Sequence, residues 1–205
     1  MSQTAEQLVT PEIIADAMSY REYRTLIDDL LDQGKTTGSN HSEAMLNYTK
    51  MNVQRMRRLD KQLELTSSLK KQIQSVDEDW VWLVLTEAWC GDAAQNIPGI
   101  AKMAEQNDHI ELKFILRDEH LDIMDEYLTN GGRSIPKLIC FDADTLEEIG
   151  TWGPRPGEFQ QKAMEWKDDP EISKKEWAKK LHKWYADDKG KTLQADFETL
   201  IAQWS

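Results

Sequence analysis

Trp89-Cys90-Gly91-Asp92 is the segment of this 205-residue chain whose residue types suit covalent chemistry. It lies between an apolar run at 80–85 and a stretch at about 93–105 with the composition of a helix. A cysteine at such a junction faces the unpaired N–H groups and the positive dipole end of the helix that follows. Both favour thiolate over thiol, and thiolate is the form that attacks a disulfide or a peroxide. Cys90 is therefore the candidate nucleophile. Gly91 and the next backbone amides would stabilise its negative charge, and Trp89 would shape the surface around the sulfur. Asp92 works in the opposite direction. Unit charges about 6 Å apart interact by roughly 0.7–3 kcal/mol for effective dielectrics of about 80 down to 20. Arg133, if its loop comes near, would counter Asp92.

Few other residues suggest chemistry. The second cysteine, Cys140, lies four residues beyond Pro136 on an expected strand, roughly 13 Å along it at the usual rise per residue. A disulfide needs Cα atoms within about 7 Å, so a direct bond to Cys90 is disfavoured and Cys140 reads as a buried apolar thiol. The histidines, His41, His109, His120 and His182, are scattered without metal-ligand spacing. There is neither a glycine-rich phosphate loop nor a serine nucleophile elbow. No metal and no cofactor is expected.

The elements that must position Cys90 read as follows. Thr10-Pro11 opens a helix with a capping residue before a proline. Ser19 and Glu22 form a capping box for a second helix, which Gly34 ends. A long helix is expected over about 42–63 and a short one after Thr66 or Ser67. Residues 80–85 form a continuous apolar run too short for a helix, as in a strand buried on both faces. A helix with Pro98 inside it follows, then a strand at 111–116. A helix at 118–128 is stopped by Asn130-Gly131-Gly132. Strands at 138–141 and 148–152 are joined by a hairpin loop at 142–145. The order is β-α-β-α-β-β. Beyond Pro154 the pattern returns to helix, with Trp177, Leu181 and Trp184 as a packing stripe inside a lysine-rich, solvated face.

The net charge of −12 is unevenly spread. Residues 76–152 hold 17 acidic and 5 basic side chains, whereas the flanking thirds are each balanced at 10 and 10. Such a core repels nucleic acid and anionic lipid. No apolar run is long enough to span a membrane. Residues 1–7 lack the basic start and apolar stretch of a secretory signal, and two cysteines suit a reducing compartment, so a cytoplasmic protein is expected.

Over roughly residues 76–152 the chain resembles the thioredoxin superfamily. Trp89-Cys90-Gly91 opens a helix, and Arg133-Ser134-Ile135-Pro136-Lys137-Leu138 follows after a further strand and helix. The resemblance implies an α/β fold with a mixed sheet, a cis bond at Ile135–Pro136 opposite the cysteine, and substrate contacts from Trp89, Gly91, Asp92, Arg133, Ser134, Ile135 and Pro136. Three departures stand out. Ala93 occupies the place of the resolving cysteine, Asp92 that of a proline, and Val84 that of a buried acid in the first strand. The flanking helices are similar to those of an uncharacterised bacterial thioredoxin-like group. The expected organisation is a helical extension at 1–75, a thioredoxin-like core at 76–152 and C-terminal helices at 153–205 packing on it. Two functions follow as expectations. One is monothiol thiol–disulfide exchange at Cys90, with protein disulfide clients or a low-molecular-weight thiol as partners. The other is a redox-inactive binding module built on the Pro136 groove. Peroxide reduction lacks the activating threonine or arginine constellation.

Overall fold

A computed structural model describes residues 8–205; the expectation about residues 1–7 lies outside it. The chain begins with α1 (Pro11–Asp16), α2 (Tyr20–Asp32), α3 (Glu43–Gln62) and α4 (Ser67–Gln74). Their starts are set locally. Thr10 accepts from the Ile13 amide, Ser19 and Glu22 close a reciprocal capping box, and Thr66 caps α4. Gly34, just past the end of α2, has φ of +69°, a conformation that glycine takes without strain.

Next come β1 (Trp80–Thr86), α5 (Gly91–Ala104) and β2 (Ile110–Leu116). β1 runs parallel to β2 in the register Trp80↔Ile110 to Thr86↔Leu116. Every residue of β1 is buried, as a strand covered on both faces requires. The helix expected over 118–128 is shorter and broken. A 3₁₀ turn at Arg117–Glu119 precedes α6 (Leu121–Glu126), with His120 between them out of helical conformation. Buried Ile123 and Met124 anchor this short piece.

β3 (Lys137–Asp142) and β4 (Glu148–Trp152) complete a mixed sheet of order β2-β1-β3-β4, with β3 antiparallel to both neighbours. Met18, just before α2, exchanges two backbone hydrogen bonds with Phe114 and so covers part of the outer edge of β2. The chain ends in α7 (Gly157–Asp168), α8 (Lys174–Asp188) and α9 (Lys191–Trp204).

Aromatic packing docks the terminal elements onto one face of the sheet. Trp82, Cys140 and Gly150 stand in one row across β1, β3 and β4. A side chain at Gly150 would overlap the Trp204 indole, so its absence makes room for that ring. Trp204 meets Trp80 and Trp82 edge-on, and Phe197 packs between Trp82 and Trp152. Toward the β2 side, Tyr23 of α2 stacks on Phe114, and its hydroxyl lies 3.3 Å from Thr86 Oγ1. A second, smaller apolar cluster joins α7 and α8 through Phe159, Ala163, Leu181 and Tyr185.

Candidate functional site

The turn that leads from β1 into α5 is held from outside by the first helices. Asn52 of α3 donates to the Ala88 carbonyl at 2.8 Å, and Thr37 Oγ1 accepts from the Ala88 amide at 2.8 Å. The Cys90 amide bonds back to the Glu87 carbonyl. Cys90 is thereby fixed as the N-cap of α5, its sulfur accepting from the Ala93 amide at 3.5 Å. The thiol in turn donates to the Ile135 carbonyl at 3.3 Å. The Ile135–Pro136 peptide bond is cis, as is Gly153–Pro154.

The chemistry of this thiol is set mainly by burial. Cys90 is 9% exposed. Loss of solvent, then the neighbouring Asp92 carboxylate, push its pKa up to about 12, against the opposing pull of the Ala93 and Asp92 amides and of Arg155. The helix end alone would lower it. At neutral pH the site holds a neutral thiol that donates its hydrogen bond to the Ile135 carbonyl. Cys140 is likewise buried and pushed up to about 12, on β3 opposite Trp82. Both cysteines are free.

Asp92 does not face the sulfur unopposed. Arg155 grips it with two bonds, Nε to Oδ1 at 3.0 Å and Nη2 to Oδ2 at 2.6 Å, with only 11% and 14% of the two side chains exposed. The Tyr185 hydroxyl donates to the same Oδ1 at 2.9 Å, and Asn96 Nδ2 reaches that hydroxyl at 3.1 Å. The cation acting on Cys90 is thus Arg155. Arg133 is exposed and its guanidinium is bound to Asp125 at 2.6 and 2.7 Å. Arg117 links the remaining expected residues. It lies over the Trp89 ring at 4.9 Å and donates to the Arg133 carbonyl at 3.2 Å. Ser134 is half-buried and closes a tight turn onto the Gly132 carbonyl, whereas Ile135 and Pro136 are buried. A side chain at Gly91 would come within 3.3 Å of the His182 ring.

Arg155, Tyr185, Asn96 and His182 were not foreseen as part of this site, and neither was Glu87. Glu87 is fully buried at the end of β1. One oxygen accepts from the Asp118 amide at 3.0 Å, while Oε2 has no partner. Burial raises its pKa above the ordinary 4.5, with nearby Asp118 adding to the rise. The folded state therefore binds this proton more tightly than the unfolded chain, and stability falls as pH climbs from the ordinary carboxyl value through the raised one. Glu87→Gln is expected to stabilise the protein by about 1 kcal/mol at pH 7. That gain should disappear below about pH 4.5, and urea midpoints at pH 4 and 7 measure it.

Among the described residues no group of His, Cys, Asp and Glu is arranged to hold a metal ion, and no helix is long and apolar enough to cross a membrane.

No curated protein matches the chain significantly. Two solved structures share its fold. One is a protein of unknown function, PA1234, from Pseudomonas aeruginosa, with a TM-score of 0.54 and 19% identity over 91% of this chain and 96% of that one. The other is an HIV epitope-scaffold, with a TM-score of 0.52 and 19% identity over 91% of this chain and 97% of that one. Residues 38–169 match the sequence model of the family described as Thioredoxin. That span takes in the turn carrying Cys90, the Pro136 loop and the whole mixed sheet. The chain belongs to the thioredoxin family.

Proposed function

We propose that this protein is a monothiol member of its family that carries out thiol–disulfide exchange through Cys90. The observation that supports the reading best is the placement of the Cys90 sulfur. It stands at the N-terminus of α5 and 3.3 Å from the carbonyl of Ile135, in the loop expected to hold a client's backbone. Once ionised, the sulfur attacks one sulfur of a client disulfide. A mixed disulfide forms and the other client sulfur leaves as thiolate. Ala93 stands where a resolving cysteine would be, so an external low-molecular-weight thiol must complete the cycle. Two equivalents of that thiol reduce the client, regenerate Cys90 and leave as their own disulfide.

The test uses the disulfide of 2-mercaptoethanol as oxidant and mass spectrometry as readout. Cys140→Ser protein, which retains Cys90, should gain one mercaptoethanol adduct that dithiothreitol removes. Cys90→Ser protein should gain none on the same timescale, a loss of at least 100-fold in rate. Equal adduct formation by both variants would sink the mechanism.

A second reading has its own support in the thiol pushed up to about 12. If that neutral state is permanent, the protein is a binding module that uses the Pro136 loop without turnover. Serine at position 90 can then donate the same bond to Ile135, and Cys90→Ser should bind any captured partner as the parent does.

A further inference from the structure

We infer that the α7–α8 hairpin is a cover, docked over the start of α5 by a polar latch, that must lift before Cys90 can react. The inference rests on the exchange reading above and supplies the regulation that reading needs.

The hairpin has a core of its own. Phe159 stacks flat on Trp184 with centroids 3.6 Å apart, and Tyr185 meets both rings edge-on. The Trp177 indole donates to the Ala163 carbonyl at 2.9 Å, which ties α8 to α7 directly. These buried residues belong to a cluster separate from the main core. The flanking segments behave differently. Trp152 before the hairpin and Leu193, Phe197 and Ile201 after it are part of the main core. The joints are Gly153, with φ of +118°, and Lys189-Gly190, both left-handed.

What fastens the hairpin to the rest is largely polar. Arg155 at its root and Tyr185 on α8 both bind Asp92, and Tyr185 also meets Asn96. His182 closes over Gly91, with Nδ1 buried and unpartnered. A cleft of about 280 Å³ lies between Tyr185, Ala186 and Lys189 at the end of α8 and Arg58, Leu59, Gln62 and Leu63 of α3. Lifting the hairpin would thus break few apolar contacts and return one orphaned imidazole nitrogen to water. In the docked form Cys90 is only 9% exposed, which leaves little approach for a disulfide.

Tyr185→Phe tests the latch without stranding a charge, because Arg155 still holds Asp92 and Asn96 still donates to the Asp92 carbonyl. The readout is iodoacetamide labelling of the full-length protein, followed separately at Cys90 and Cys140, at three pH values. Loss of the hydroxyl's two bonds is expected to raise Cys90 labelling about tenfold, by the same factor at each pH, with Cys140 unchanged. Hydrogen exchange should quicken across α7 and α8 and stay unchanged in β1 and α9. An unchanged Cys90 rate overturns the cover, and so does a parallel rise at both cysteines, which reports global unfolding. Alkylation needs only an accessible thiol. Faster labelling in the variant, with no mixed disulfide in the parent, would therefore keep the cover and reject the exchange reading.

Discussion

Arg155→Met should cost the docked form of α8 about 3–5 kcal/mol, because it leaves the Asp92 carboxylate buried without its cation. Methionine keeps much of the apolar stem of Arg155, so packing near Trp177 is largely preserved and the charge is what the change removes. Amide exchange across α8 should rise by about 10²–10⁴-fold, the equilibrium equivalent of that loss. Cys90 labelling should rise with it. Placing Asp92→Asn in the same chain should restore most of the protection, since a neutral pair no longer needs the compensation. Tyr185 can still donate to the asparagine oxygen. A single variant within 1 kcal/mol of the parent would mean that water already reaches Asp92 and that Arg155 fastens nothing.

That network spans residues far apart in the chain, and this is why half of the site was foreseen and half was not. Cys90, Gly91 and Asp92 are adjacent, and a cysteine between an apolar strand and a helix announces its own electrostatics. Ser19 with Glu22, and Thr10 before Pro11, are local rules that act within four residues. The uninterrupted apolar run of β1 likewise carries its own meaning, burial on both faces. Arg155 is 63 residues from Asp92 and Tyr185 is 93 residues away, so no spacing rule joins them. The charge on position 133 is close in sequence to the Pro136 loop, yet its geometry favours Asp125, eight residues back.

Burial was the quantity hardest to weigh beforehand. A helix N-terminus lowers a thiol's pKa by a modest electrostatic gain, whereas removing water from the same sulfur acts against the charge more strongly. Which one wins depends on what covers the site, and the cover comes from the lysine-rich tail. Read alone, that tail is a packing stripe inside a solvated face. Leu181 does bury against α7, with Trp177 and Trp184 packed around it, and that much follows from helical spacing. Tyr185, one position beyond the stripe, points its hydroxyl into the site instead. Glu87 was missed for a related reason. Position 84 was expected to be the place for a buried acid and holds valine, while the buried carboxylate sits three residues later, at the strand's end.

Gly153→Ala should be the most damaging of the glycine substitutions near the site, lowering stability by about 3 kcal/mol or more. Its φ of +118° costs an alanine about 1–3 kcal/mol, and the new methyl would collide with the Pro136 carbonyl oxygen. The Pro136 carbonyl carbon and Lys137 Cα would lie 3.2 and 3.3 Å away, so backbone, rather than the tip of a flexible side chain, has to give. Pro136 and Lys137 join the loop of Ile135 to the start of β3, and Gly153 directly follows the end of β4. A shift there moves the Ile135 carbonyl away from the Cys90 thiol, and the sulfur loses the acceptor of its proton. The urea midpoint should fall with the slope unchanged, and Cys90 labelling should quicken relative to Cys140. Gly157→Ala supplies the contrast. Nothing lies within 4 Å of its added methyl and its φ is not positive, so its stability should stay within about 0.5 kcal/mol of the parent. If Gly153→Ala is as mild as Gly157→Ala, the crossing of the two segments is slack. The Ile135 carbonyl would then be held by the thiol itself rather than by the sheet.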